Sequence, residues 1–369
     1  MKRLAAFLLA VSLLLFLSPA SAESAASEWG IMDSLFYRMG PDAAKNADQV
    51  LQRNLYTGTV NGMAFTVSEA GYDGQSLLIR CSYLIPDAKN AFGVSAEEIY
   101  GEFMPKSVKP GSFVEGLTEE GSELKEAKQI GWWYDQFWID GKGVNLAVGA
   151  MQSLSGSNIP GEIIETDYLP LYKNGISLEG PVRISLPIGA RPDLSEYDPE
   201  AHPEKFDAEG FLILPENNVV TFELDTKDIL SRVRTFRPEK ETEQPGFTAK
   251  VAKAAFSPLM TYITVETALK PGALEAYIAE NGEGATDENG DLMFRYGPYN
   301  VVTPWLESLT LVDGNGTALF PEELGLEEND EQKAEFLFPY IENLPEALFL
   351  APYDQDAGKA DMAGAVPVT

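Results

Sequence analysis

Five aromatic residues, Trp132, Trp133, Tyr134, Phe137 and Trp138, fall within seven positions of one another. Flat rings with a polar edge can stack on a sugar ring while their heteroatoms stay hydrogen-bonded. In an extended chain, alternation would put Trp132, Tyr134 and Trp138 on one side and Trp133, Phe137 and Ile139 on the other. Trp132, Tyr134 and Trp138 are therefore the candidate ligand-binding residues. The competing reading is that sheets and loops cover both faces and the cluster is simply core. Tyr296, Tyr299 and Trp305 form a looser echo further along.

Other chemistries find less to work with. The one histidine, His202, sits in the acidic run Asp198-Pro-Glu-Ala-His-Pro-Glu204. No G-x-S-x-G elbow accompanies it, which argues against a catalytic triad and against a histidine-built metal site. Gly149 to Gly156 lacks the G-K-[ST] ending of a phosphate-binding loop. A glycoside hydrolase needs only two carboxylates roughly 5–9.5 Å apart, yet no pair stands out among the 57 acidic residues. The oxygen-rich runs Asp287–Asp291 and Asp193–Asp207 lack EF-hand spacing and read as solvated turns. No catalytic residue, cofactor or metal is assigned. The single cysteine, Cys81, excludes an intramolecular disulfide and alternates with Leu77, Ile79 and Tyr83, as a buried structural thiol would.

Lys2 and Arg3, the apolar run Leu4–Leu17 and the small residues ending at Ala20-Ser21-Ala22 form a secretory signal peptide, with cleavage expected after Ala22. The run is shorter than the roughly 20 residues needed to span a bilayer. The expected mature chain is secreted or extracytoplasmic, with no membrane insertion after cleavage. A formal net charge of −30 repels nucleic acid. Apolar content of 44% is enough to fill real cores.

The elements that would carry these residues are mostly strands. Phe247 to Leu269 alternates on both sides of Ser257-Pro258, as two half-buried strands around a turn do. The same design recurs 184 residues earlier, with Val67, Ala70, Tyr72 and Ile79 matching Val251, Ala254, Phe256 and Ile263. Asp73-Gly74 and Asp140-Gly141 supply hairpin turns. The expected plan is mainly β: two tandem immunoglobulin-like β-sandwich domains after a short N-terminal helical segment. Its divisions are a signal peptide at 1–22, a helical lead-in at 23–56 and a first sandwich with loop insertions at 57–235. A polar linker at 236–246, a second sandwich at 247–354 and a flexible tail at 355–369 follow.

The helical lead-in, then Val67 to Ile79 (V-x-E-A-x-Y-D-G-x-x-L-x-I), then Phe256 to Val265 (F-S-P-L-x-T-x-I-x-V) resembles a family of uncharacterised bacterial ectodomains. These are similar to the extracytoplasmic immunoglobulin-like domains of Gram-positive anti-sigma-factor-like proteins. The resemblance implies that fold and no catalytic residues. A signal peptide stands where such proteins carry a cytoplasmic segment and a membrane helix, so anti-sigma activity is not implied. The sequence thus reads as a non-catalytic binding protein of the cell envelope or exterior, recognising a protein or envelope partner. The alternative is a carbohydrate-binding module using the Trp132–Trp138 face, and a glycoside hydrolase stands third.

Overall fold

The computed structural model describes residue 31 and residues 39–60, 63–84, 130–132, 136–145, 151–156, 162–190, 203, 219–286, 292–320, 326–329 and 333–369. The expected leader at 1–22, Trp133, Tyr134, His202 and the acidic runs at 193–207 and 287–291 lie outside the described residues, apart from Pro203.

The chain is mainly β, and its named strands pair antiparallel throughout. Helix α1 (Ala44–Val50) leads into β1 (Leu51–Val60), β2 (Met63–Tyr72) and β3 (Leu77–Leu84). Then come β4 (Ile130–Trp132), β5 (Gln136–Ile139), β6 (Lys142–Asn145), β7 (Met151–Gly156) and β8 (Glu162–Leu169). Strands β9 (Pro181–Ala190) and β10 (Val219–Asp225) end this half. One sheet runs β1-β2-β3-β8-β7, a second runs β10-β9-β5-β6, and β4 adds to β9. The helical reading of 23–56 overran: Leu51 to Val60 is a strand. Its alternation is broken by Asn54 at φ 57°, with a register shift between Arg53 and Tyr56.

Helix α2 (Ile229–Arg232) opens the second half, followed by β11 (Arg234–Phe236), β12 (Thr242–Gln244), β13 (Phe247–Phe256) and β14 (Met260–Leu269). Next are α3 (Ala273–Asn281), β15 (Gly284–Thr286), β16 (Leu292–Arg295), α4 (Pro298–Leu306) and β17 (Leu309–Asp313). The last strands are β18 (Leu326–Asn329), β19 (Lys333–Pro339), β20 (Leu348–Asp354), β21 (Lys359–Ala360) and β22 (Val366–Pro367). One sheet is β11-β13-β14-β19-β18 with β12 added to β13. Another joins β17, β20, β21 and β22.

Two expectations about this half need correction. The polar stretch at 236–246 contains β12, which hydrogen-bonds to β13 through Thr242, Glu243 and Gln244. Its polarity suits a sheet margin and does not make it a free linker. The Gly/Ala-rich stretch at 355–369 is built into the fold, because Val366 and Val368 alternate into the second core. The Leu348 backbone accepts from Val368 N at 2.7 Å and donates to Thr369 Oγ1 at 3.1 Å.

The two hairpins match position by position. Val67 pairs with Cys81 and Val251 with Val265; one residue is then skipped on the first strand, and Glu69–Arg80 and Lys253–Thr264 follow. The skipped residues, Ser68 and Ala252, stand at the same 184-residue offset. Each turn closes the same way, Asp73 N donating to Ser76 O and Ser257 N to Met260 O. Asp73 Oδ1 accepts from the backbone N–H of Gln75 and Ser76, and Ser257 Oγ accepts from those of Leu259 and Met260. The turns differ next door, where Gly74 takes φ 96° and Pro258 holds φ near −65° through its ring.

Two cores result. The second is filled by Val251, Ile263, Val265, Phe336 and Phe338 from one face of the β13-β14-β19 sheet. The opposite face of that sheet contributes Ala255, Tyr262 and Leu337 to the first core. The two halves therefore share a buried seam.

Candidate functional site

The second sheet of the first half carries the open surface. Val182, Ile184 and Leu186 on β9 and Val220, Phe222 and Leu224 on β10 point into the core. The intervening Arg183, Ser185, Thr221 and Glu223 face outward, paired as Arg183–Glu223 and Ser185–Thr221. Strand β5 adds Trp138, which pairs with Ser185 on one side and Gly143 on the other. Phe137 and Ile139 flank it in sequence and are buried, while Trp138 is half-buried on the outward face. The β5–β6 hairpin turns through Asp140 and Gly141 at φ 50° and 78°, the left-handed pair that a two-residue hairpin requires. This turn is locked to β9, because Asp140 N donates to Arg183 O and Asp140 Oδ1 accepts from Arg183 N, each at 2.8 Å.

Asp140, Arg183, Ser185, Thr221 and Glu223 line an open concavity of about 730 Å³ beside this turn. Ser185 Oγ and Thr221 Oγ1 are hydrogen-bonded at 2.9 Å, and either hydroxyl can be the donor. A guanidinium donor, a carboxylate acceptor and two hydroxyls beside an indole face suit a hydroxyl-rich ligand. Of the three aromatic candidates, the structure places Trp138 on this face. Trp132 enters β4 opposite Ile188; its side chain, like all of Tyr134, lies outside what is described. The polar partners Arg183, Ser185, Thr221 and Glu223 were not singled out from sequence. Their signal was the alternation over 181–187 and 219–225, which carries no information about which strands become neighbours.

A second polar cluster is buried at the seam. Asp73 is fully enclosed, and its Oδ2 accepts from Ser257 Oγ at 2.6 Å and Tyr262 OH at 2.7 Å, both from the other half. Burial pushes the Asp73 carboxyl above its ordinary value, while the four donors pull it back down. Lys253 Nζ donates to Gln75 Oε1 at 2.9 Å and lies over the Tyr172 ring. Burial lowers the pKa of that lysine. Tyr172 packs edge-on against Tyr262 and donates to Glu335 Oε2 at 2.6 Å. The Ser257 hydroxyl touches a carboxylate, as an activated nucleophile does, but it is 2% exposed and also accepts two backbone N–H bonds. The arrangement acts as a clamp between halves.

Cys81 is free and fully buried. Burial, then the nearby Glu165 and Asp167 carboxylates, pushes its thiol well above the usual range. Among the described residues no three His, Cys, Asp or Glu side chains converge as a metal site. No helix among them is long and apolar enough to cross a membrane.

No family model matches the chain, and no curated protein matches it. Among solved structures, the crystal structure of the conserved domain protein from Bacillus anthracis aligns over 88% of this chain and 84% of that one. The identity is 14% and the TM-score 0.43, a likeness too distant to carry an argument.

Proposed function

We propose that this is an exported, non-catalytic binding protein of the cell envelope or exterior, and that the outer face of the β10-β9-β5-β6 sheet holds a glycan or a glycan-bearing envelope component. The observation that supports this most directly is Trp138, half-buried and paired in register with Ser185, whose hydroxyl meets that of Thr221 in the lining of the neighbouring open concavity. An indole face offers apolar contact to a sugar ring, and Arg183 and Glu223 offer a donor and an acceptor to its hydroxyls. Export rests on Lys2, Arg3, Leu4–Leu17 and Ala22, and on the resemblance to extracytoplasmic ectodomains. We further propose that the matched hairpins open two duplicated, immunoglobulin-like sandwiches.

The test is a titration of the chain against cell-wall and storage polysaccharides, read by tryptophan fluorescence and repeated with Trp138→Ala and Arg183→Ala. Saturable binding that weakens at least tenfold in Trp138→Ala supports the reading. Absence of binding across the panel overturns it and leaves a protein partner as the ligand to seek.

A further inference from the structure

Beside the seam, four separate segments enclose a crevice of about 160 Å³. Its lining includes Arg232 and Arg234 with the amides of Asn46 and Gln49, and the apolar side chains of Phe256, Pro258, Ile341 and Leu344. Arg232 ends α2 and Arg234 opens β11, and the residue between them, Val233, is extended at φ −83°, ψ 119°. Two positions apart in extended chain, the arginines project to one side. Val233 points to the other, where its Cγ2 would lie 2.2 Å from a Cβ added to Gly74.

Both guanidiniums are held by neutral partners. Arg232 Nη1 donates to Gln49 Oε1, and Arg234 Cζ lies 5.5 Å from the centroid of the Phe236 ring. Among the described residues neither makes an ion pair. The carboxylate that borders the crevice, Glu342, is engaged by Lys45 at 2.8 Å, which also holds Asp42 at 2.9 Å. In a chain with 57 acidic and 27 basic residues, two arginines on one small crevice without a carboxylate of their own leave local positive charge unanswered. Lys45 stands against both Glu342 and Asp42, so with the two arginines the local balance is three positive charges to two negative, and the arginines are the ones without a carboxylate in contact.

We propose that this crevice binds a small organic carboxylate, with its anionic group against Arg232 and Arg234 and its carbon body against Phe256, Pro258, Ile341 and Leu344. The planar fork of a guanidinium matches the two oxygens of a carboxylate. A cavity of about 150 Å³ is known to accept benzene, so the volume suits an acid with roughly one ring or a short branched chain. An inorganic phosphate would meet the arginines but leave the apolar wall in water. Asn46 Nδ2 already donates to Pro258 O at 3.0 Å across the same opening, so an occupant would lie against α1, the α2–β11 corner and the 340–344 loop together. The site is separate from the outer face that carries Trp138.

The experiment is a calorimetric titration of the full chain with benzoate as probe, beside benzamide and inorganic phosphate. The expected result is saturable benzoate binding, no detectable benzamide binding and weaker phosphate binding. Arg232→Gln and Arg234→Gln should each weaken benzoate at least tenfold, with an unchanged melting temperature because both side chains are exposed. Arg234→Lys should recover part of the loss, and Trp138→Ala should bind benzoate like the parent chain. No saturable benzoate binding, equal binding by the double arginine variant, or phosphate binding as tightly as benzoate would each overturn the proposal. Loss of benzoate binding in Trp138→Ala would overturn its location.

Discussion

The two hairpins of this chain are built alike and used differently. They share a register, a skipped residue and a turn closure at a constant offset of 184 residues, yet position 73 is aspartate and position 257 is serine. Within its own turn each side chain does the same job, accepting two backbone N–H bonds. Across the seam their chemistries complement each other, since a hydroxyl can donate and a carboxylate can only accept when ionised. Two identical turns meeting here would bring two carboxylates or two hydroxyls together. The substitution of one polar capping residue for another turns like surfaces into a matched donor and acceptor. The neighbouring position diverges as well, glycine in one turn and proline in the other, because only the first needs a left-handed residue.

Removing the acceptor should break this comparison most severely. Asp73→Ala strands the Tyr262 hydroxyl and two turn N–H groups in a buried place, while the Ser257 hydroxyl can still donate to Met260 O at 2.9 Å. We expect a loss of about 3 kcal/mol or more in urea denaturation. A loss no larger than that of a surface substitution would show that the seam carries no such weight. Gly74→Ala comes next, at about 2–3 kcal/mol, because the backbone is left-handed there and the new methyl would collide with Val233. Ser257→Ala and Tyr262→Phe should each lose about 1–2 kcal/mol. Neither loss should add fully to that of Asp73→Ala, since all three share one network. Full additivity would separate the hydroxyls from the carboxylate.

The pH dependence sharpens the contrast between an acid and an alcohol at equivalent positions. A carboxyl with a higher pKa in the folded chain than in the unfolded one binds its proton more readily when folded. Its contribution is therefore fully present below the ordinary value of 3.8 and is lost as pH rises through the raised folded value. Parent stability, measured against Asp73→Asn, should fall as pH increases across that window. A difference that stays flat, or that rises with pH, would contradict the dominance of burial at Asp73. The smallest effect concerns Cys81. Its thiol should resist alkylation in the native chain and react promptly in denaturant, and rapid native labelling would mean the first sheet opens readily.

The hairpins were legible because both signals agree: period-two alternation and turn residues that want a particular backbone conformation. Strand β1 was hidden because the irregularity at Asn54 puts Leu51 and Leu55 at a helix-like spacing. Helix α4 has no counterpart in the sequence reading: two prolines in nine residues weaken a helical pattern, although Pro298 occupies the first turn and Val302 and Leu306 are buried four residues apart. The closing stretch was read from its glycines and alanines, which masked the Val366/Val368 alternation. At the outer face, Trp138 could be found from aromatic clustering. The company it keeps depends on the register between β5 and β9, 47 positions apart at Trp138 and Ser185. The Asp73–Ser257 contact belongs to the same class: each residue announced a turn, and neither announced the other.

The seating of residues 366–368 sets an order of assembly. Val366 and Val368 pack into the second core and β22 covers part of the β20 edge, so this half completes its burial only with that stretch in place. A partial chain ending near 354 would hold β20 with Phe349 and Leu350 uncovered on that side, an open margin that invites pairing with another chain. A nick in the exposed 355–358 turn is therefore expected to destabilise this half, because it severs the chain between β20 and the valines that pack into the second core.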